Sequence, residues 1–251
     1  MGRLDGKRAV ITGGAGGIGV AAAKLFVAEG ARVLLVDRDQ AALQRAARDV
    51  GAAWCAADVS DAAATKAYVA KAVQELGGID VALLNAGIEG QVKPIAEMPV
   101  EVFDQVMAVN ARGVFLGLKE IMPQMKNTGG GSIVITSSIA GLRGGPGIAP
   151  YIASKHAAVG LMRTAALEGA PDNIRVNTVN PAPIDTRMIE SLEKQRYPDD
   201  PQKARDGWLA RIPARRYGTP EEVARLMLFL ASDESGYCSG GTYLIDGAMM
   251  A

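Results

Sequence analysis

The sequence predicts an α/β fold with a parallel sheet covered by helices on both faces. Three observations predict it. Short apolar runs alternate with longer amphipathic ones along almost the whole chain. The short runs are near-continuously apolar rather than alternating, as strands buried on both faces must be. The chain has 251 residues, 49% of them hydrophobic, enough for one sizeable core.

Each element follows from its residues. Segments 8–12, 32–37, 52–58, 80–87, 132–138, 175–180 and 242–246 read as strands, mostly rich in Val and Ile and bounded by Gly, Asp or Asn. Helical patterns lie between them at 17–29, 39–49, 61–77, 100–126, 151–169 and 220–231. Strand–helix alternation with right-handed crossovers leaves a doubly wound sheet as the economical topology. No repeat or linker divides the chain, so a single domain is expected over 1–251. One break interrupts the rhythm at 187–218, a charged stretch with three prolines and a Trp. A long excursion near strand ends reads as a substrate lid.

Composition sets aside several function classes. Lys+Arg and Asp+Glu balance at 27 each, so there is no basic field for nucleic acid or an anionic membrane. Cys55 and Cys238 lack metal-ligand or CxxC spacing and read as reduced thiols, and no His/Cys/carboxylate cluster marks a metal site. No signal-peptide core opens the chain, and no stretch approaches the roughly 20 apolar residues of a membrane span. The expectation is a cytoplasmic protein.

After the first strand comes Thr12-Gly13-Gly14-Ala15-Gly16-Gly17-Ile18-Gly19, and a helix opens directly. Glycines let the backbone approach a pyrophosphate, and a helix N-terminus offers free N–H groups and a positive dipole end. An acid is expected about 20 residues on, to hold the adenosine ribose hydroxyls. Asp37 stands 18 positions past Gly19. Its charge repels a 2′-phosphate, and no basic residue lies inside the glycine turn, so NAD is favoured over NADP. Arg38 pulls the other way, because a guanidinium can pair with that phosphate.

Tyr151-Ile-Ala-Ser-Lys155 opens an apolar helix, and positions i and i+4 share a face. A phenol with an ordinary pKa near 10 is a poor base, and a neighbouring ammonium stabilises its phenolate. Ser138 ends the fifth predicted strand thirteen residues earlier, and Ser137 should point to the opposite face. Asn85-Ala86-Gly87 ends the fourth. Asn110 sits in an otherwise apolar helix, where its amide must find partners. His156, the only histidine, should lie off the face of Lys155 and reads as structural.

Taken together, Thr12-Gly13-x-x-x-Gly17-x-Gly19, Asn85-Ala86-Gly87, Asn110, Ser138 and Tyr151-x-x-x-Lys155 resemble the short-chain dehydrogenase/reductase superfamily over nearly the whole chain. The resemblance implies a Rossmann-like sheet of seven parallel strands in the order 3-2-1-4-5-6-7. It implies Tyr151 as general acid or base, with Lys155 lowering its pKa and binding the nicotinamide ribose. It implies Ser138 as the group orienting the substrate oxygen, and Asn110 as the holder of a water linking Lys155 to solvent.

For the cofactor it implies contacts from Gly13, Gly16, Gly17, Ile18, Gly19, Asp37 and Arg38. Asp58 and Val59 would flank the adenine, with Asn85, Ala86 and Gly87 under the adenosine side. Pro181, Ile184, Thr186 and Met188 would lie at the nicotinamide, Ile184 and Thr186 placed for the carboxamide. Ala182 replaces the family's usual Gly, which puts the detail of that turn in question.

The function so implied is NAD(H)-dependent interconversion of a secondary alcohol and a ketone, in a homotetramer or homodimer. The interface is expected on the Tyr151 helix, the 220–231 helix and the last strand. A 3-oxoacyl thioester reductase is the enzyme alternative. An enoyl reductase is disfavoured by the Tyr–Lys spacing, and a nucleotide-sensing regulator by the retention of both residues. The substrate pocket is expected near 89–97, 139–148, 182–197 and 205–212, where Ile139, Leu142, Ile148, Ile189 and Trp208 mix with Glu89, Arg143 and Arg187. That mixture favours a partly apolar substrate.

Overall fold

The computed structural model describes residues 2–251. Its centre is a seven-stranded parallel sheet ordered β3-β2-β1-β4-β5-β6-β7. The strands are β1 (Arg8–Thr12), β2 (Arg32–Asp37), β3 (Ala53–Ala56), β4 (Val81–Leu84), β5 (Gly131–Thr136), β6 (Ile174–Pro181) and β7 (Thr242–Ile245). Alternation along each strand builds two cores. Ile11, Leu35, Leu83, Val134 and Val179 face one way, onto α1 (Gly17–Ala28), α2 (Gln40–Val50) and α9 (Pro220–Ala231). Val10, Leu34, Leu84, Ile135 and Val176 face the other, onto α3 (Ala62–Leu76), α5 (Gly113–Asn127) and α6 (Ala149–Gly169). Both faces are covered, as the apolar strands require.

Three expectations are corrected. First, β3, β4 and β5 end earlier than their apolar runs, at Ala56, Leu84 and Thr136. The chain leaves the ladder there because its backbone groups find other partners. Asn85 N–H, for instance, donates to Thr12 Oγ1 at 2.9 Å.

Second, the 100–126 helix is not continuous. It divides into α4 (Val100–Met107), a π turn (Ala108–Arg112) and α5. The π turn is centred on Asn110, which is 1% exposed. A wide turn of this kind is a local register fault, tolerated where side-chain bonds compensate.

Third, 187–218 is largely helical, holding α7 (Arg187–Arg196) and α8 (Pro201–Arg211). Asp200 caps α8 through Lys203 N–H, with Pro201 in its first turn. The two helices close over a small core of Ile189, Ile212 and Tyr217, joined by Leu192, Trp208, Leu209 and Met249.

The strand order reverses between β1 and β4, so the crevice at the carboxyl edge of the sheet opens there. Thr12, Asp37, Asn85, Ser138 and Pro181 all lie at that edge. Among the described residues no helix is long and apolar enough to cross a membrane.

Candidate active site

The glycine turn is tied into the sheet edge from three sides. Gly13 has φ +66°, and a Cβ there would come 2.9 Å from Asn85 Nδ2 and 3.0 Å from Ala86 Cα. Only glycine permits both the conformation and the approach. A Cβ on Gly19 would run into the Gly13 carbonyl, so α1 can start this close to β1 only without one. Gly16 caps α1 with no side chain to satisfy its first N–H groups, which leaves them available to an anion. Ile18 follows in the first turn, half-buried.

Asp37 holds this turn as well as ending β2. Its Oδ2 accepts from Ala15 N–H at 3.1 Å and its Oδ1 from Asp39 N–H at 3.1 Å. Asp58 accepts from Ser60 Oγ at 2.7 Å and from Ser60 N–H at 2.9 Å. These bonds hold its pKa below the ordinary carboxylate value, and the charge of Arg38 adds to them. Arg38 is exposed, and Val59 is buried beneath the same corner. Asn85, Ala86 and Gly87 follow β4, and Asn85 Nδ2 donates to the Thr12 carbonyl at 3.1 Å.

Across the cleft, a Cβ on Gly17 would meet Thr186 Cγ2 at 3.2 Å, so the turn and the 181–188 segment face each other closely. Ala182 has no positive φ, so its methyl sits there without strain. Its N–H donates to the Ile245 carbonyl at 3.1 Å, which ties the turn to β7. Ile184 is buried and bridges to Gly218, Thr186 caps α7, and Met188 stands half-buried in its first turn.

The reactive residues gather beside this cleft. Lys155 is 4% exposed, and its Nζ donates to the Thr136 carbonyl at 2.8 Å. It lies 5.5 Å from the centroid of the Tyr151 ring. Ser137 points back to α6 and donates to the Lys155 carbonyl at 3.1 Å, while Ser138 donates to the Pro181 carbonyl at 3.3 Å. The two serines therefore serve opposite faces. His156 is exposed, with Nδ1 2.9 Å from the Ile152 carbonyl, away from the catalytic face.

Burial dominates the electrostatics. It pushes the Tyr151 phenol up to about 12, against a lowering interaction with the Ser138 hydroxyl and with a further raising push from the charge of Glu89. The same burial brings Lys155 down to about 8. Proximity to Lys155 does not overcome burial at Tyr151, in contrast to the simple expectation from helix spacing.

Asn110 makes a paired bond with one residue. Its Oδ1 accepts from Ile88 N–H at 2.8 Å, and its Nδ2 donates to the Ile88 carbonyl at 2.9 Å and to Ser154 Oγ at 3.1 Å. A Cβ on Gly87 would lie 3.4 Å from both Asn110 Oδ1 and Lys155 Nζ. The two polar groups thus converge over a glycine.

Sequence reasoning missed two groups. Gln195 of α7 bonds the loop after β4: its Oε1 accepts from Val92 N–H at 3.0 Å, and its Nε2 donates to the Gly90 carbonyl at 3.2 Å. In the core under α7 and α8, Tyr217 donates to buried Glu193 at 2.7 Å, with the Arg205 guanidinium 4.6 Å from the Tyr217 ring centroid. The charge density of 187–218 was the only signal for either.

Comparison with known proteins agrees with this geometry. Residues 13–249 match the family described as Enoyl-(Acyl carrier protein) reductase. Levodione reductase from Leifsonia aquatica is 38% identical over 99% of this chain and 96% of its own. The chain belongs to the short-chain dehydrogenase/reductase superfamily. The 3-oxoacyl-(acyl-carrier-protein) reductase FabG from Thermotoga maritima is 42% identical over 99% of both chains. The crystal structure of levodione reductase superposes with a TM-score of 0.93 over 98% of both chains. That of NAD+-bound xylitol dehydrogenase does so with 0.91 at 34% identity, over 96% of this chain and 98% of the other.

Proposed function

We propose that this superfamily member is an NAD(H)-dependent oxidoreductase interconverting a secondary alcohol and a ketone. The observation that carries the reading is the meeting of Tyr151, Ser138 and Lys155 at the sheet edge, beside a glycine turn and an acid placed for a dinucleotide. Support comes from relatives named as reductases and from a structural neighbour bound to NAD+.

The cradle fits a dinucleotide. Gly13, Gly16, Gly17, Ile18 and Gly19 would take the pyrophosphate, and Asp37 the adenosine ribose, with Arg38 at its edge. Asp58, Val59 and Asn85 to Gly87 would take the adenine side, and Pro181, Ile184, Thr186 and Met188 the nicotinamide. When bound, the nicotinamide supplies the hydride chemistry.

The protein supplies the proton and the alignment. Ser138 Oγ hydrogen-bonds the substrate oxygen. Tyr151 Oη takes the hydroxyl proton in oxidation and returns it to the carbonyl oxygen in reduction. Lys155 places a cation beside the phenolate as it forms, so it is worth more in the transition state than before it. Asn110 and Lys155, converging over Gly87, hold the path by which the proton reaches solvent. The α7–α8 segment acts as the lid over the substrate.

Asp37 favours NAD because a 2′-phosphate would meet its charge. We further infer a cytoplasmic homotetramer or homodimer, supported by exposed Leu167 on α6 and Leu244 on β7.

A 3-oxoacyl thioester reductase is the competing reading, favoured by the FabG match. A panel of secondary alcohols, ketones and 3-oxoacyl thioesters, followed by NADH and NADPH absorbance, separates the two. Turnover of plain alcohols or ketones with NAD(H) is expected. Turnover of the thioesters alone would replace this reading.

A further inference from the structure

The loop after β4 is pinned almost residue by residue. Asn110 grips Ile88 at both its N–H and its carbonyl. Gln195 grips Gly90 and Val92 from the lid side. Lys93 N–H donates to the Gly147 carbonyl at 2.8 Å, tying in the loop after Ser138. Gly90 has φ +75°, and a Cβ there would meet Val106 Cγ2 at 2.8 Å, so the bend is seated against α4.

Between the two amide clamps stands Glu89. It is half-buried, and among the described residues its side chain has no hydrogen-bond or ion-pair partner. Its charge reaches the Tyr151 hydroxyl, where it is one of the causes raising the phenol. The nearby cation of Arg143 is turned elsewhere, with Nη2 3.7 Å from Met249 Sδ in the C-terminal segment. A carboxylate fixed in place, short of water and without a partner is well built to accept from a donor that arrives with the substrate.

Resting on the oxidoreductase reading above, we propose that Glu89 is a specificity-determining residue. It selects substrates carrying a hydrogen-bond donor, such as a second hydroxyl, remote from the reacting carbon, and it disfavours substrates carrying a carboxylate there. Asn110 and Gln195 are positioning residues for it, acting through the backbone of Ile88, Gly90 and Val92. The preference comes from two effects of one charge. A hydroxyl donor gains a charge-assisted bond, and an anion meets repulsion in a site of low dielectric.

The test uses three probes: 4-hydroxycyclohexanone, cyclohexanone and 4-oxocyclohexanecarboxylate, each with NADH and NADPH. The wild-type protein is expected to rank them in that order in kcat/KM, with about tenfold between neighbours, the size of one charge-assisted bond. Glu89→Ala should collapse the hydroxyl preference through KM. Glu89→Gln, of the same shape, should relieve the carboxylate penalty. Glu89→Gln should also move the pH dependence of alcohol oxidation to lower pH, because the charge that raises Tyr151 is gone; a purely structural role would not shift it.

Equal turnover of all three probes by the wild-type protein, or a ranking unchanged in both variants, overturns the proposal and leaves the oxidoreductase reading standing. Turnover of none of them with either cofactor removes both.

Discussion

Two tyrosines in this molecule are held next to charge, and they do opposite things. Tyr217, between the lid helices and α9, donates its proton to Glu193 at 2.7 Å, under the Arg205 guanidinium. Burial and that carboxylate both raise its pKa. Tyr151 is also raised by burial, but its immediate company is a hydroxyl and an ammonium. A carboxylate fixes a phenol's proton in place, whereas a hydroxyl and a cation let it leave. The comparison teaches that burial alone does not mark a proton-transfer tyrosine; the identity of the partner does.

The largest expected break in that comparison is Lys155→Met. It removes the cation from Tyr151, and kcat should fall by about 10²–10³. The same change should stabilise the fold. Lys155 has its pKa lowered from 10.5 to about 8, so the folded state binds fewer protons than the unfolded chain between those values. The cost of the buried charge is full below pH 8 and fades as pH rises towards 10.5. At pH 7 the variant should gain on the order of 2–3 kcal/mol, less what the orphaned Thr136 carbonyl costs. Denaturant melts at pH 7 and pH 10 check this: the gap between the proteins should narrow at the higher pH. A variant that is less stable at pH 7 would contradict the picture of a costly buried ammonium.

Tyr217→Phe should do the reverse. It leaves buried Glu193 short of a donor, so stability should drop by about 1–3 kcal/mol. With the lid core loosened, KM should rise several-fold while kcat changes little. A fall in kcat matching that of Lys155→Met would erase the distinction between the tyrosines.

How much of this was legible in the sequence divides along the same line. The Tyr151 half was readable, because each of its residues sits at a sheet edge or helix start whose spacing is fixed by backbone geometry. Gly13, Asp37, Asn85, Ser138 and Lys155 all fell where their motifs required. Even the π turn had a signal in Asn110, a buried amide in an apolar helix, although the reading as one continuous helix passed over it.

The Tyr217 half was not readable. Its contacts join α7, α8 and the chain before α9 at separations of 12 to 24 residues, with no periodicity linking them. Gln195 lies further still from its partners, about a hundred positions along the chain. Tertiary packing, not local pattern, chose these pairs.

Asp37→Ser tests the cofactor corner. It removes the charge facing a 2′-phosphate and leaves Arg38, so the preference for NAD over NADP should fall about tenfold or more. An unchanged ratio would place the discrimination elsewhere. The smallest effect is expected from Ala182→Gly. Ala182 has no positive φ, so restoring the family's glycine relieves no strain and adds only unfolded-chain entropy, about 0.5–1 kcal/mol of lost stability. A marked gain in activity or stability would show that the methyl crowds the turn.

The central claim is that Tyr151 moves the proton. Single-turnover hydride transfer in Tyr151→Phe, with NADH binding measured on the same sample, tests it most directly. The account predicts NADH affinity within a few-fold of the wild-type protein and a transfer rate lower by about 10²–10⁴. Hydride transfer at the wild-type rate in that variant would contradict it.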